Sequence, residues 1–258
     1  MNRHIDFEGI ENFRDFGGYG TACGRGLKAG HLYRSGYHAH ATDADLGRMA
    51  DMGLAAIIDL RRPEERRREP ARRWPGFEAR VIENDIVSEH HDWLDVLRTL
   101  DEVTPAWFYE DSLNMYRLSP FEARHIDLFR RYFQELARGE GPIVVHCAAG
   151  KDRTGLICAL THHLAGVHRD DMMADYMLTN DEARIQRKMD FLGPWMQTQA
   201  GAHASPEALR VAVSVHPDYL AAAFEVIEAR HGSIDGYLEQ ALGVDGAMRE
   251  TIHDRLLG

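Results

Sequence analysis

The chain has 258 residues, with 41 acidic against 30 basic side chains, a formal net charge of −11 at neutral pH and a pI of about 5.7. That length supports a full hydrophobic core, and the acidic balance argues against nucleic acid as a partner, because contacts to a phosphate backbone need a basic footprint. Cys23, Cys147 and Cys158 form no paired spacing, which fits free thiols in a reducing compartment rather than a disulfide scaffold.

Met1-Asn2-Arg3-His4-Ile5-Asp6 has no apolar leader core and no run reaches membrane-spanning length. A cytoplasmic protein without a transmembrane segment is expected, with leaderless export left open. Leu32 to Arg34 and Leu54 to Leu60 read as strands, separated by a helix with Leu46 and Met49 on its inner face. Thr42, with Asp45 three residues on, forms a variant capping box at the start of that helix. His38-Ala39-His40 with Asp43 and Asp45 resembles a metal cluster, but the helix start already accounts for the aspartates, so no metal site is expected. The adjacent pairs His90-His91 and His162-His163 point apart on any helix and are poorer ligands still.

From Arg61 to Trp74 seven arginines face three glutamates, broken by Pro63 and Pro70. This reads as a solvated basic face; a docking strip for acidic head groups or phosphopeptides is the alternative. Between Ser88 and Leu118, Leu94, Leu97, Trp107, Phe108 and Tyr116 lie among many acids, as either an amphipathic cover or ordinary core packing. Ile143-Val144-Val145, after Gly141-Pro142, reads as a short buried strand, and Leu156, Leu160 and Leu164 recur at helical spacing up to Gly166. Glu182 to Trp195, continuing into the Ala- and Gly-rich 199–206 stretch, reads as a helical insertion with Met189, Leu192 and Trp195 on its inner face. Tyr219 to Ile227, Tyr237-Leu238 and Met248 to Leu256 read as three closing helices separated by Gly232 and Gly243, and the chain has no internal repeat.

The chemistry concentrates between the Ile143-Val144-Val145 strand and the helix after it, in His146-Cys147-Ala148-Ala149-Gly150-Lys151-Asp152-Arg153-Thr154-Gly155. Amides at a helix start have no intrahelical acceptor and the macrodipole is positive there, so an oxyanion or a thiolate in the turn is stabilised without a metal. A cysteine placed in such a field becomes a nucleophile. Arg153, near the far end, offers a planar fork to two phosphate oxygens, which a lysine does not.

Cys147 to Arg153 resembles the Cys-x5-Arg signature of the cysteine-dependent phosphatases, and His146 before it with Thr154-Gly155 after it makes HCAAGKDRTG similar to the bacterial branch of tyrosine and phosphoinositide phosphatases. Asn12-Phe13-Arg14-Asp15-Phe16-Gly17-Gly18-Tyr19 resembles that branch's N-terminal element, Leu32-Tyr33-Arg34-Ser35-Gly36 its next strand, and Ile58-Asp59-Leu60-Arg61 with Glu65 its central strand and turn. The resemblance implies an α/β fold, a mostly parallel central sheet flanked by helices, in one phosphatase domain over 1–258 with lid insertions at about 88–118 and 182–206. It implies a phosphocysteine on Cys147, phosphate held by Arg153 and the amides of Ala148, Ala149, Gly150, Lys151, Asp152 and Arg153, and a Thr154 hydroxyl that helps the sulfur leave. His146, Asp59, Arg61 and Asn12 become supports, His146 by orienting the loop rather than as a base. Phosphotyrosine proteins and phosphoinositides are the implied substrates, inorganic phosphate is the product, and no cofactor is called for.

Trp-Pro-Asp, the acid-bearing loop of many relatives, is absent, since Trp74-Pro75 runs into Gly76. Asp152 is therefore the candidate general acid, with Asp59 and Asp85 as alternatives; Asp59 is more simply part of a buried polar network. Lys151 either selects a substrate with more than one phosphate or pairs with a neighbouring carboxylate. Two other classes compete: a phosphate-binding module without turnover, and a rhodanese-type sulfurtransferase, whose chemistry requires neither Thr154-Gly155 nor His146.

Overall fold

Ala56-Ile57-Ile58 and Ile143-Val144-Val145 are fully or almost fully buried on both faces, as strands of a parallel sheet covered by helices on each side must be. The structure, a computed structural model, describes residues 3–87, 93–100 and 102–258, so the His90-His91 pair lies outside the described residues. Strands β1 (Arg14–Asp15) and β2 (Leu32–Ser35) come first, followed by helix α1 (Asp43–Asp51), β3 (Ala56–Asp59), α2 (Pro63–Arg68) and β4 (Arg80–Ile82). Next come α3 (Trp93–Leu97), β5 (Glu102–Val103), α4 (Pro105–Leu118) and α5 (Ala123–Arg138). The strand β6 (Ile143–His146) leads into α6 (Asp152–Ala165) and α7 (Arg169–Met177), then α8 (Glu182–Ala200), β7 (His203–Ala204) and α9 (Pro206–Val213). Helices α10 (Pro217–His231), α11 (Ile234–Gln240) and α12 (Gly246–Leu256) close the chain, with Gly232 and Gly243 between them as the sequence predicts.

The sheet runs β1-β2-β6-β3-β4, parallel throughout except for β1 at the edge, which gives the expected mostly parallel α/β arrangement. β6 is the middle strand. Its last residue, His146, stands level with Ser35 on one side and Asp59 on the other, so the chain leaves the sheet at the carboxyl edge between two neighbours, the usual crevice of parallel sheets. The capping box on α1 is present: Thr42 accepts from the Asp45 amide and Asp45 accepts from the Thr42 amide.

A separate outer core holds Leu97, Val103, Phe108, Met196, Ala202 and Ala208. It unites the two segments read as separate insertions, and β5 and β7 pair parallel over two residues each. Both readings of the first segment apply to α4, whose Phe108 enters this outer core while Leu113 and Tyr116 enter the main one. Helix α8 runs through Pro194 to Ala200, in line with the helical insertion read over Glu182 to Trp195 and beyond. Leu192 and Trp195 pack against the outer core as the sequence predicts, joined by the fully buried Met196 one turn after Leu192, while Met189 is half-buried and outside that cluster. The basic strip is also less solvated than its composition suggests. Arg61 is buried against Asp59 two residues before it, while other segments supply the partners of Arg66, which bridges Glu83 and Asp85, and of Arg72, which pairs with Asp43. Among the described residues no helix is long and apolar enough to cross a membrane.

Candidate active site

Cys147 follows β6 directly and is buried at the start of a loop that ends where α6 begins, at Asp152. Asp152, Arg153 and Thr154 are thus first-turn residues of the helix, one step beyond the loop in which the sequence reading places Asp152. Gly150 has φ +64°, and a Cβ there would lie 2.4 Å from the Ser35 carbonyl, so only glycine lets the loop fold against β2. The amides of Ala148, Ala149, Gly150 and Lys151 donate to no acceptor among the described residues, which leaves a nest of N–H groups beside the sulfur. Asn12, in left-handed backbone at φ 55°, donates to the Gly150 carbonyl at 2.8 Å from behind.

Arg153 is fixed by a two-pronged ion pair, Nη1 donating to Glu65 Oε2 at 2.6 Å and Nη2 to Oε1 at 2.9 Å, with the Leu60 carbonyl accepting at 3.1 Å. Burial alone would raise the Glu65 carboxyl, but Arg153 holds it well below the usual carboxylate range. Glu65 also accepts from the Arg62 amide at 2.7 Å, so the start of α2 aims the carboxylate that aims the arginine. Asp59 is turned the other way. It forks Arg61, with Nη2 at 2.7 Å, and lies 3.7 Å from His146 Nε2; against burial, His146 and Arg61 keep its carboxyl low. His146, pushed down to about 4 by burial, is a neutral ring tilted by 32° against that of His38 at 4.3 Å between centroids, with Nδ1 3.3 Å from the Cys147 carbonyl. His38 itself is buried while His40 is exposed, so the two do not face one point.

The Lys151 ammonium leaves the loop for α9, donating to the carbonyls of Ala212 at 2.7 Å and Ser214 at 3.1 Å, and stands 3.7 Å from Asp152. Asp152 accepts from the Tyr116 hydroxyl at 3.2 Å, and that hydroxyl is 2.7 Å from the hydroxyl of Tyr176. Asp85 is far more exposed and pairs with Arg66. The buried Thr154 hydroxyl has no hydrogen-bond partner among the described residues, including the helix carbonyl it was free to use. Burial pushes the Cys158 thiol up to about 12.

Cys147, Asp152 and Arg153 open onto a cavity of about 340 Å³, which Lys151 also lines. Arg62, Glu65 and Arg68 of α2 form one wall and Phe108, Met115 and Trp195 another; Asp59 and Asp85 are not on it. The cavity combines an acceptor-free amide nest, a fixed guanidinium and a sulfur, the parts that hold and attack a phosphoryl group. Residues 5–258 match the sequence family described as the tyrosine phosphatase family. The chain belongs to that family. This tyrosine phosphatase family member is 36% identical over 252 residues, 96% of its own length and 87% of the relative's, to a Cupriavidus necator protein assigned to the tyrosine-protein phosphatases. It is 30% identical to the triple specificity protein phosphatase PtpB of Mycobacterium tuberculosis, covering 98% and 99% of the two chains. To a tyrosine-protein phosphatase of Nostoc commune it is 26% identical, over 83% and 70%.

Sequence reading of this phosphatase misses Tyr116 and Tyr176 beside Asp152 and the Arg34 contact to the loop. A signal exists for the last: a charged residue inside the buried Leu32-Tyr33-Arg34-Ser35 strand requires a buried partner.

Proposed function

We propose that the protein is a phosphomonoester hydrolase working through a phosphocysteine on Cys147, as one phosphatase domain over 1–258 whose α3–α4 and α8–α9 segments form a lid. The observation that carries this reading is the sulfur on the cavity floor together with Arg153, fixed by the Glu65 fork at the start of α6. The Cys147 thiolate attacks phosphorus in line; the S–P bond forms as the ester P–O bond breaks, and the leaving oxygen takes its proton from Asp152. The equatorial oxygens lie against the loop amides and Arg153. Water then gives its proton to the Asp152 carboxylate and attacks phosphorus, the new P–O bond forming as the S–P bond breaks; inorganic phosphate leaves, and the Thr154 hydroxyl donates to the departing thiolate, a role its unpartnered state supports. No cofactor enters.

Phosphotyrosine proteins and phosphoinositides are the proposed substrates. The triple specificity of the M. tuberculosis relative, the aromatic wall with Phe108 and Trp195, and the cations Arg62 and Arg68 on the cavity support this breadth. Lys151 supports the multiply charged substrate through its charge at the cavity, although its hydrogens are engaged with α9. The deciding experiment is acid-quench trapping of radiolabelled phosphate on Cys147 during turnover of p-nitrophenyl phosphate, beside Cys147→Ser. A covalent adduct in the parent and a loss of rate of about 10⁴-fold or more in the variant are expected. Phosphate binding without turnover would leave a binding module, and thiosulfate turnover without phosphate release would leave a sulfurtransferase. In a panel of phosphopeptides and mono- and bis-phosphorylated inositol lipids, Lys151→Ala is expected to lose lipid more than peptide activity; equal loss removes the lipid assignment.

A further inference from the structure

Arg14 of β1 and Arg34 of β2 are fully buried and line neither the cavity nor the surface. They share one carboxylate, that of Asp175 on α7: Arg34 Nη1 donates to Oδ2 at 2.9 Å and Arg14 Nε to Oδ1 at 3.3 Å. Arg14 Nη2 also donates to the Asp175 carbonyl at 2.9 Å, and Arg14 Nη1 to Asn12 Oδ1. The remaining terminal nitrogen of Arg34 donates to the Gly150 carbonyl at 3.0 Å and reaches the Lys151 carbonyl at 3.5 Å. Asn12 holds the same Gly150 carbonyl and reaches that of Ala149 at 3.5 Å.

Two consequences follow from elementary chemistry. In a trans peptide the N–H points opposite to the preceding C=O, so fastening the Ala149 and Gly150 carbonyls from behind turns the Gly150 and Lys151 amides forward. Secondly, two guanidiniums and one carboxylate leave a positive charge without a counterion where solvent does not reach. The neighbouring titratable groups do not supply it: burial lowers His162 and leaves it neutral, and the Cys158 thiol, pushed up to about 12, is neutral as well. Burial and Arg34 push Arg14 down only to about 10, so it stays charged. A buried charge left unpaired is costly, so the balance is to be sought across the loop, where Arg34 is within electrostatic reach of Cys147.

We propose that Arg34 is a positioning residue of the phosphatase: it turns the loop amides toward the anion, and its unbalanced charge has the Cys147 sulfur and the substrate phosphate as counterion, with Asp175 moderating it. This rests on the reading of Cys147 as the nucleophile. The other charged groups within reach of Cys147 are engaged elsewhere, Arg153 with Glu65, Lys151 with α9 and Asp152, and Arg184 with the carbonyls of Thr179 and Val213. Arg34 alone among them touches the loop from the core side.

The test is alkylation of the full chain by iodoacetamide across pH, followed by mass spectrometry of the Cys147 peptide so that exposed Cys23 does not contribute. Arg34→Gln is expected to move the onset of Cys147 reactivity up by roughly one pH unit and Asp175→Asn to move it down, as removal of a cation and of an anion should. A general loosening of the structure would move both the same way. Arg34→Lys keeps the charge and loses the fork: its onset is expected to stay with the parent, while protection of Cys147 by inorganic phosphate weakens about tenfold. Shifts of one sign in both charge variants, or none, overturn the proposal, as does an Arg34→Lys onset displaced like a charge loss. Where circular dichroism shows that Arg34→Gln does not fold, the other two variants decide. Alkylation needs no turnover, so radiophosphate trapped on Cys147 alongside unshifted onsets defeats this proposal alone, and failed trapping defeats the functional reading instead.

Discussion

The phosphate loop and the cluster above it bury their residues by different means. Below, the loop follows the central strand of a five-stranded sheet, and its charged supports close into short pairs, Arg153 with Glu65, Arg61 with Asp59, and Arg14 and Arg34 with Asp175. Above, a small apolar core of its own is knitted by a parallel pair two residues long and tied to the floor by Lys151 and by Leu113 and Tyr116 of α4, which enter the main core. The first arrangement gives up adaptability for a fixed geometry at the sulfur; the second holds its contents mainly by apolar contact rather than by charged pairs. Preorganisation therefore resides in the floor and access in the cover.

This contrast can be broken at either side. The largest effect is expected from Glu65→Gln, which removes the carboxylate that aims Arg153: kcat/KM for p-nitrophenyl phosphate should fall about 10²–10³-fold, and an unchanged value would mean that the arginine is aimed by something else. Met196→Ala empties the centre of the outer core and should cost about 2–4 kcal/mol there. Hydrogen exchange should then speed up in α8 and α9 while α6 is unaltered; equal acceleration in α6 would show that the two cores melt as one. Lys151→Met should raise exchange at the end of α9 by about tenfold or more, through the loss of its charge-assisted hydrogen bonds to the Ala212 and Ser214 carbonyls. Acid sharpens the contrast most gently. His146, at about 4 in the fold against an ordinary value of about 6.5, stays unprotonated where the unfolded chain binds a proton, so stability declines as pH falls through that window. Burial drives His38 and His125 the same way. Asp59, Glu65 and Asp175, held low, keep their contribution until pH drops below the ordinary carboxylate range of about 4. Tm should fall steadily from pH 7 to pH 5, and a flat profile would contradict the neutral buried rings.

What sequence makes legible here is local. The β-branched run, the glycine-bearing turn and the leucines of α6 sit within one strand–loop–helix unit, and the Thr42–Asp45 box spans one helical turn, so spacing alone reveals them. The destinations of long polar side chains are not local. Lys151 ends on carbonyls some sixty residues away, and Arg34 meets Asp175 across 141 positions. No periodicity encodes those pairings, though the row Met172, Asp175, Tyr176 on the inner face of α7 signals a buried acid in want of a cation. The basic strip misleads for the same reason, since composition counts charges and not the partners that fold onto them.

The acceptors that Lys151 finds on α9 are main-chain oxygens, those of Ala212 and Ser214. Such a latch is blind to side-chain identity. Inheritance can rewrite the residues of α9 around it, and with them the shape of ester admitted, while the fastening to the loop survives each change. A cover built this way is free to drift toward new substrates without renegotiating the chemistry beneath.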